Sequence, residues 1–167
     1  FNEILVKKSI NNIRNLKFFR SIKENIEQID EMSKILNIFV EEKPTGEIAA
    51  GAGYGTEGST IFFSVSENNY LGKGVDLDAN VQLSTERIKG IFRTTNPNYK
   101  NSDKSLSFSF EADETDQLKN FGYKSNKTGF SVSTDFEYRD DLFLGLGTSS
   151  YYEKIETDST ASARQKK

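Results

Sequence analysis

Carboxylate-only catalysis remains possible in this 167-residue chain, which has no histidine and no cysteine. Their absence removes the commonest general base and metal ligand, together with all thiolate and disulfide chemistry. Among the 25 acidic residues, Asp140 with Asp141 and Asp76 with Asp78 are pairs close in sequence. A pair of carboxylates forms a catalytic dyad or a cation site only when both face one space. Neighbours on a strand point to opposite faces, and Asp140–Asp141 fall in a turn. Asp76 and Asp78 share a face, where Lys89 or Arg93 of the next run could pair with them. That face reads as solvated, or as a charge lattice in a wet interior. No catalytic residue, metal ligand or cofactor is expected, and the chain does not read as an enzyme. The 22 basic residues form no stripe, so nucleic acid is not an expected partner. What remains is backbone chemistry. Small residues dominate "GEIAAGAGYG", Gly46–Gly55, and a strand so poor in side chains presents mainly its N–H and C=O groups.

The elements that would position such a strand follow from composition and period. Only 35% of the chain is hydrophobic and the mean hydropathy is -0.62, yet it carries 13 Phe and 7 Tyr. Aromatic enrichment argues against disorder; a sheet apolar on one face and wet on the other has this composition. No run of 18 apolar residues predicts a transmembrane helix. With no signal peptide or initiating Met, Phe1 reads as lying inside a helix of a longer protein. Two regimes meet near Pro44-Thr45-Gly46. Before the junction, Ile10, Ile13 and Leu16 predict one face of a helix, extended by Phe1, Leu5 and Val6. A strand is expected from Phe18 to about Gln28, a turn around Asp30-Glu31, and a second strand from Ser33 to Glu42. This is the tail of a small α+β module.

After the junction the period is two. Ile48, Ala50, Ala52 and Tyr54 share one face; Glu47, Ala49, Gly51 and Gly53 share the other. In the second run Ile61, Phe63 and Val65 oppose Thr60, Ser64 and Ser66, with Phe62 the one bulky residue on the polar side. Val75, Leu77, Ala79, Val81 and Leu83 alternate with Asp76, Asp78, Asn80, Gln82 and Ser84. A weaker run, Arg87 to Thr95, sets Ile88, Phe92 and Thr94 against Lys89, Ile91 and Arg93. Leu106, Phe108 and Phe110 alternate with serines. Phe130, Val132 and Phe136 then oppose Ser131, Ser133, Asp135 and Glu137, and Leu142, Leu144 and Leu146 oppose Phe143, Gly145 and Gly147. Seven amphipathic strands of roughly 9–11 residues fit a tilted transmembrane barrel. Alternation alone also fits a soluble β-domain. The polar face, mostly Ser, Gly, Asn and Asp, has the character of a wet lumen. Asp113 to Gly122 reads as a long acidic connection; Thr56-Glu57-Gly58 and Arg139-Asp140-Asp141 read as tight ones. Tyr70, Tyr99 and Tyr138 all fall at alternate connections, where an interfacial aromatic girdle would lie.

Four segments then carry a resemblance, in order: the Pro-Thr-Gly junction, "GAGYGTEG", "ENNYLGKG" and "TNPNY". With "SINNIRNLKFFRSI" ahead of them, the chain resembles BamA-type outer-membrane assembly factors from Phe1 to about Tyr152. One departure is Lys17, where the family commonly has Gly before the Phe-Phe pair. A left-handed C′ position there would cost Lys roughly 1 kcal/mol. The resemblance implies that residues 1–44 are the C-terminal part of the last periplasmic POTRA domain. It implies that residues 45–167 are the first seven strands of an outer-membrane β-barrel of about 16 strands. The plug loop and closing strand would lie beyond Lys167, and the tail "STASARQKK" reads as an extracellular loop cut short.

The implied function is assembly and insertion of β-barrel proteins in the outer membrane of a Gram-negative bacterium, with the N-terminal part in the periplasm. Unfolded outer-membrane proteins would be clients, and the accessory lipoproteins of the BAM complex and outer-membrane lipid would be partners. Glu47, Ile48, Ala49, Ala50, Gly51, Ala52, Gly53 and Tyr54 would form the lateral-gate strand. Ile61, Phe63, Val65, Val75, Leu77, Val81, Leu83, Leu106, Phe108 and Phe110 would face lipid. Gly weakens a strand, and Gly51 with Gly53 would leave the lumen face of the gate bare, so β-branched residues at both are expected to fill it and strengthen closure. The glycines could instead relieve crowding where a barrel curves. Rival readings are a related POTRA-barrel secretion transporter, a passive porin, a barrel-anchored enzyme with its catalytic domain upstream, and a soluble β-domain.

Overall fold

The computed structural model describes residues 2–30, 33–139 and 142–162. The chain divides into two units, Phe1–Thr45 and Gly46–Lys167.

The first unit is one helix and one hairpin. Helix α1, Glu3–Asn15, begins at Asn2, whose side-chain oxygen accepts from the backbone N–H groups of Ile4 at 3.0 Å and Leu5 at 3.2 Å. That satisfies two of the orphan donors of the first turn. Glu3 near the start and Arg14 near the end complement the helix dipole. The inward stripe is Val6, Ile10 and Ile13, with Ile10 buried and the other two half-buried. The expected face is thereby corrected: Leu5 and Leu16 are 59% and 45% exposed. At about 100° per residue Leu16 stands roughly 120° away from Ile10, off the stripe. Phe1 lies outside the described residues. Lys17 does take the left-handed conformation, with φ 60°. Strands β1, Phe19–Gln28, and β2, Lys34–Glu42, pair antiparallel, with Ile26 opposite Leu36 and Ile22 opposite Val40. Their turn closes through Ser33 N–H on Asp30 Oδ1 at 2.7 Å. Glu31, expected in it, is outside the described residues.

The second unit is a seven-stranded antiparallel sheet in strict chain order. Its strands are β3 (Gly46–Gly55), β4 (Gly58–Glu67), β5 (Asp76–Ser84), β6 (Arg87–Asn96), β7 (Leu106–Gln117), β8 (Tyr123–Arg139) and β9 (Leu142–Thr157). The sheet is open, with β3 and β9 at its edges. Because register is kept from strand to strand, the two faces are continuous. Ala50, Phe63, Val81, Gly90, Ala112, Thr128 and Tyr152 form one cross-strand row. The next row, on the other face, is Gly51, Phe62, Gln82, Lys89, Asp113, Lys127 and Glu153.

Three expectations shift here. The acidic connection is mostly strand: β7 continues to Gln117, followed by the single turn of α2, Leu118–Phe121, and Gly122 at φ 71°. Ion pairs replace apolar contacts along this stretch, Lys124 meeting Glu114 at 2.7 Å across β7 and β8, so no period-two apolar signal marks it. For the same reason β8 and β9 run to 17 and 16 residues, beyond their apolar runs. Val75 precedes β5 rather than opening it, and its carbonyl accepts from Tyr70 N–H at 2.9 Å. The tight connection at Asp140–Asp141 lies outside the described residues.

Candidate functional site

Strand β3 is an edge. Every residue from Gly46 to Gly55 is registered against β4, and no strand pairs its other side among the described residues. Half of its backbone donors and acceptors therefore face outward, ready to pair with another strand. On the apolar face Ile48 stands opposite Val65, Ala50 opposite Phe63 and Ala52 opposite Ile61. On the polar face Glu47, Ala49, Gly51 and Gly53 stand opposite Ser66, Ser64, Phe62 and Thr60. Tyr54, at the outer end, is 87% exposed.

The two interior glycines differ, and this corrects the expectation that both leave the strand bare. A Cβ at Gly51 would sit 2.7 Å from Cζ of Phe62, so the ring already occupies the place of the missing side chain. A Cβ at Gly53 would meet nothing within 4 Å. The solitary bulky residue of the polar face thus lies over a glycine on the neighbouring strand. It covers the backbone there, as aromatic residues do when they compensate a strand glycine. The sequence marks Phe62 as odd; only the register shows why it is there.

Beyond β4 the polar face is held by hydrogen bonds and ion pairs. Thr60 bonds Ser84 at 2.8 Å and Ser109 bonds Ser131 at 2.7 Å. Asp78 accepts from Ser66 at 2.7 Å. The expected pairing of Asp76 or Asp78 with Lys89 does not form, because register puts Gln82 rather than an aspartate opposite Lys89 on β5. Lys89 turns instead to β7, meeting Glu111 at 2.9 Å. Arg93 stands opposite Asp78 in register, but the pair makes no ion pair. Arg87 Nε and Nη2 donate to the two carboxylate oxygens of Asp113 at 2.8 and 2.6 Å, while Nη1 donates to Glu57 at 3.0 Å. The sequence reading missed Arg87 and Glu57. Their separation in sequence hides a pairing that only the register and a tight turn bring about.

The opposite face is a broad apolar surface. Ile61, Phe63, Val65, Leu77, Val81, Leu83, Leu106, Phe108 and Phe110 share it, and Ile88, Phe92, Phe130, Val132, Phe136, Leu144 and Leu146 extend it to β9. Phe63, Phe110 and Phe130 are each about half exposed. The band does not run straight along the ladder. On β5 it spans Leu77–Leu83, centred on Asn80, whose row leads through Ile91 and Glu111 to Gly129. On β8 it spans Phe130–Phe136, centred on Ser133, four residues further along. A drift of about 14 Å along the strand over about 14 Å of sheet width makes the strands roughly 45° oblique to the band. Tyr70 and Tyr99 occupy two single 3₁₀ turns and Tyr138 the end of β8. These β4–β5, β6–β7 and β8–β9 connections all lie at the end of the sheet where β3 begins.

Comparison with known proteins adds to this geometry. Residues 69–167 match the Omp85 superfamily domain. The chain is 31% identical over 153 residues to the outer membrane protein assembly factor BamA of Neorickettsia risticii (strain Illinois), covering 86% of this chain and 20% of that protein. Its fold matches the crystal structure of BamA from Haemophilus ducreyi lacking POTRA domains 1–3, with a TM-score of 0.75 at 20% identity, over 91% of this chain and 30% of that one. The chain thus spans about a fifth of the curated relative's length.

Proposed function

Because this chain belongs to the Omp85 superfamily, we propose that it is the gate-bearing part of an outer-membrane protein assembly factor, with β3 as the template edge for client strands. In this reading β3–β9 are the opening strands of a transmembrane barrel. The apolar band faces lipid and Tyr70, Tyr99 and Tyr138 mark its periplasmic boundary. The obliquity of the band, near the ~35–45° at which barrel strands cross a bilayer, supports this. α1, β1 and β2 are then the end of a periplasmic POTRA domain. The outer membrane is the location, unfolded β-barrel proteins are the clients, and the accessory lipoproteins of the assembly complex are partners. The work done is on folding rather than on covalent bonds, so no catalytic residue, metal or cofactor is required.

One observation carries the role of β3: an edge strand of small residues whose second backbone side pairs with no strand among the described residues. An incoming strand can pair there by β-augmentation, which draws its affinity from main-chain hydrogen bonds and makes little demand on client sequence. In the full-length protein the same edge would hold the closing strand between clients. A disulfide engineered between β3 and that closing strand should stop client assembly into lipid vesicles, with reduction restoring it. A locked barrel that assembled clients at the unlocked rate would remove β3 as the gate.

A further inference from the structure

In the outer half of β3 a Cβ at Gly53 or Gly55 would meet nothing within 4 Å. One restraint on this end comes from the turn that follows. Glu57, in that turn, accepts from Arg87 Nη1 at 3.0 Å. Arg87 opens β6, and its other two donors grip Asp113 on β7. One guanidinium therefore links the tip of the β3–β4 hairpin to strands that neither β3 nor β4 pairs with. Its side chain is 29% exposed, Glu57 35% and Asp113 16%, so water screens the pair less than it would a surface ion pair. Only arginine's planar fork can bind a carboxylate through two donors and keep a third for another.

We propose that Arg87 is a positioning residue for the edge strand: through Glu57 it fixes the outer end of the β3–β4 hairpin, so that the free edge of β3 is already ordered when a client strand arrives. This rests on the assembly reading above. A template ordered in advance binds more tightly because less conformational freedom is lost on pairing. Loss of the link therefore weakens capture of the client rather than the steps that follow it.

The test uses the full-length protein in lipid vesicles and an unfolded outer-membrane β-barrel protein as client. Amide hydrogen exchange across Gly53–Gly58 is measured beside assembly rate as a function of client concentration. Arg87→Gln should raise exchange in this stretch threefold or more and raise the half-saturating client concentration by a similar factor, leaving the maximal rate within twofold. Glu57→Gln should do the same. The double variant should be no worse than Arg87→Gln, as expected of two groups in one interaction. Arg93→Gln, which removes a charge from the same strand, should behave as wild type.

The proposal is overturned if Arg87→Gln matches Arg93→Gln in both measurements. It is equally overturned if the two single effects add, or if only the maximal rate falls, which is the mark of general damage to the barrel. Should Arg87→Gln fail to insert, Glu57→Gln carries the comparison, since it leaves the Arg87–Asp113 pair intact. If the wild-type protein assembles no client at any concentration, the assembly reading falls. The exchange data then still decide whether Arg87 orders the hairpin.

Discussion

Gly51 and Gly53 lie two apart on one face of one strand, and look interchangeable in sequence. Their surroundings make them opposites. A β-branched residue at Gly51 must displace the Phe62 ring, and overpacking of this kind costs about 1–3 kcal/mol. At Gly53 the space is empty, and a side chain there gains a partner in Thr60, worth roughly 0.2–1 kcal/mol. Gly51→Val should therefore lower, and Gly53→Val raise, the temperature at which the folded full-length barrel loses its heat-modifiable electrophoretic mobility. Equal shifts at both sites would mean that Phe62 does not cover β3. The alternation that placed these glycines was readable because period two is a local property. The ring above Gly51 was not, since it depends on which residue register brings opposite. The left-handed backbone at Lys17 was anticipated only through the family's usual glycine at that position, since a lysine by itself does not mark a left-handed helix stop.

Among the elements, those with an uninterrupted apolar period were legible and the others were not. β5 could be read from its five-fold alternation, though Val75 proved to belong to the turn before it. The parts of β7 and β8 beyond their apolar runs were hidden because both of their faces are largely polar, and cross-strand ion pairs such as Lys124–Glu114 carry no periodic signature; β9 continues there with Tyr151, Tyr152 and Ile155 among polar residues. In α1 the helix was legible, and so were Val6, Ile10 and Ile13 of its inward face; Leu5 and Leu16 were wrongly added to it. Ile10 is the buried member, at 3% exposure, so Ile10→Ala should cost about 2–5 kcal/mol, and Ile13→Ala distinctly less. Hydrogen exchange of the α1 amides in the full-length protein would report both. A larger loss at Ile13 would mean that Ile10 is not the centre of the inward stripe.

At the scale of the whole chain, the candidate site is an edge, and no inventory of reactive side chains could have found it. The scarcity of side chains between Gly46 and Gly55 was the usable signal; the network around Arg87 left none. The membrane reading is tested by the band. Val81 lies near its centre on β5 and Asn80, beside it, faces the other way. Val81→Arg should cost about 2–4 kcal/mol if it meets the lipid midplane, and Asn80→Arg should cost little, in folding titrations of the full-length protein into vesicles. Similar costs at the two positions would reject the assigned faces.

The oblique band also gives the wall an uneven skyline. On β5 the apolar stretch ends at Leu83, one residue before the strand does. On β8 seven residues separate Phe130 from the strand's start at Tyr123, which in the membrane reading proposed above is a rise of roughly 15–20 Å above the lipid. In that reading the parapet is low beside the edge strand and climbs with distance from it, which would leave a notch on the exterior side of the proposed gate. Bulky, hydrated loops of a nascent barrel could swing through that notch as its strands are added, without having to clear a palisade.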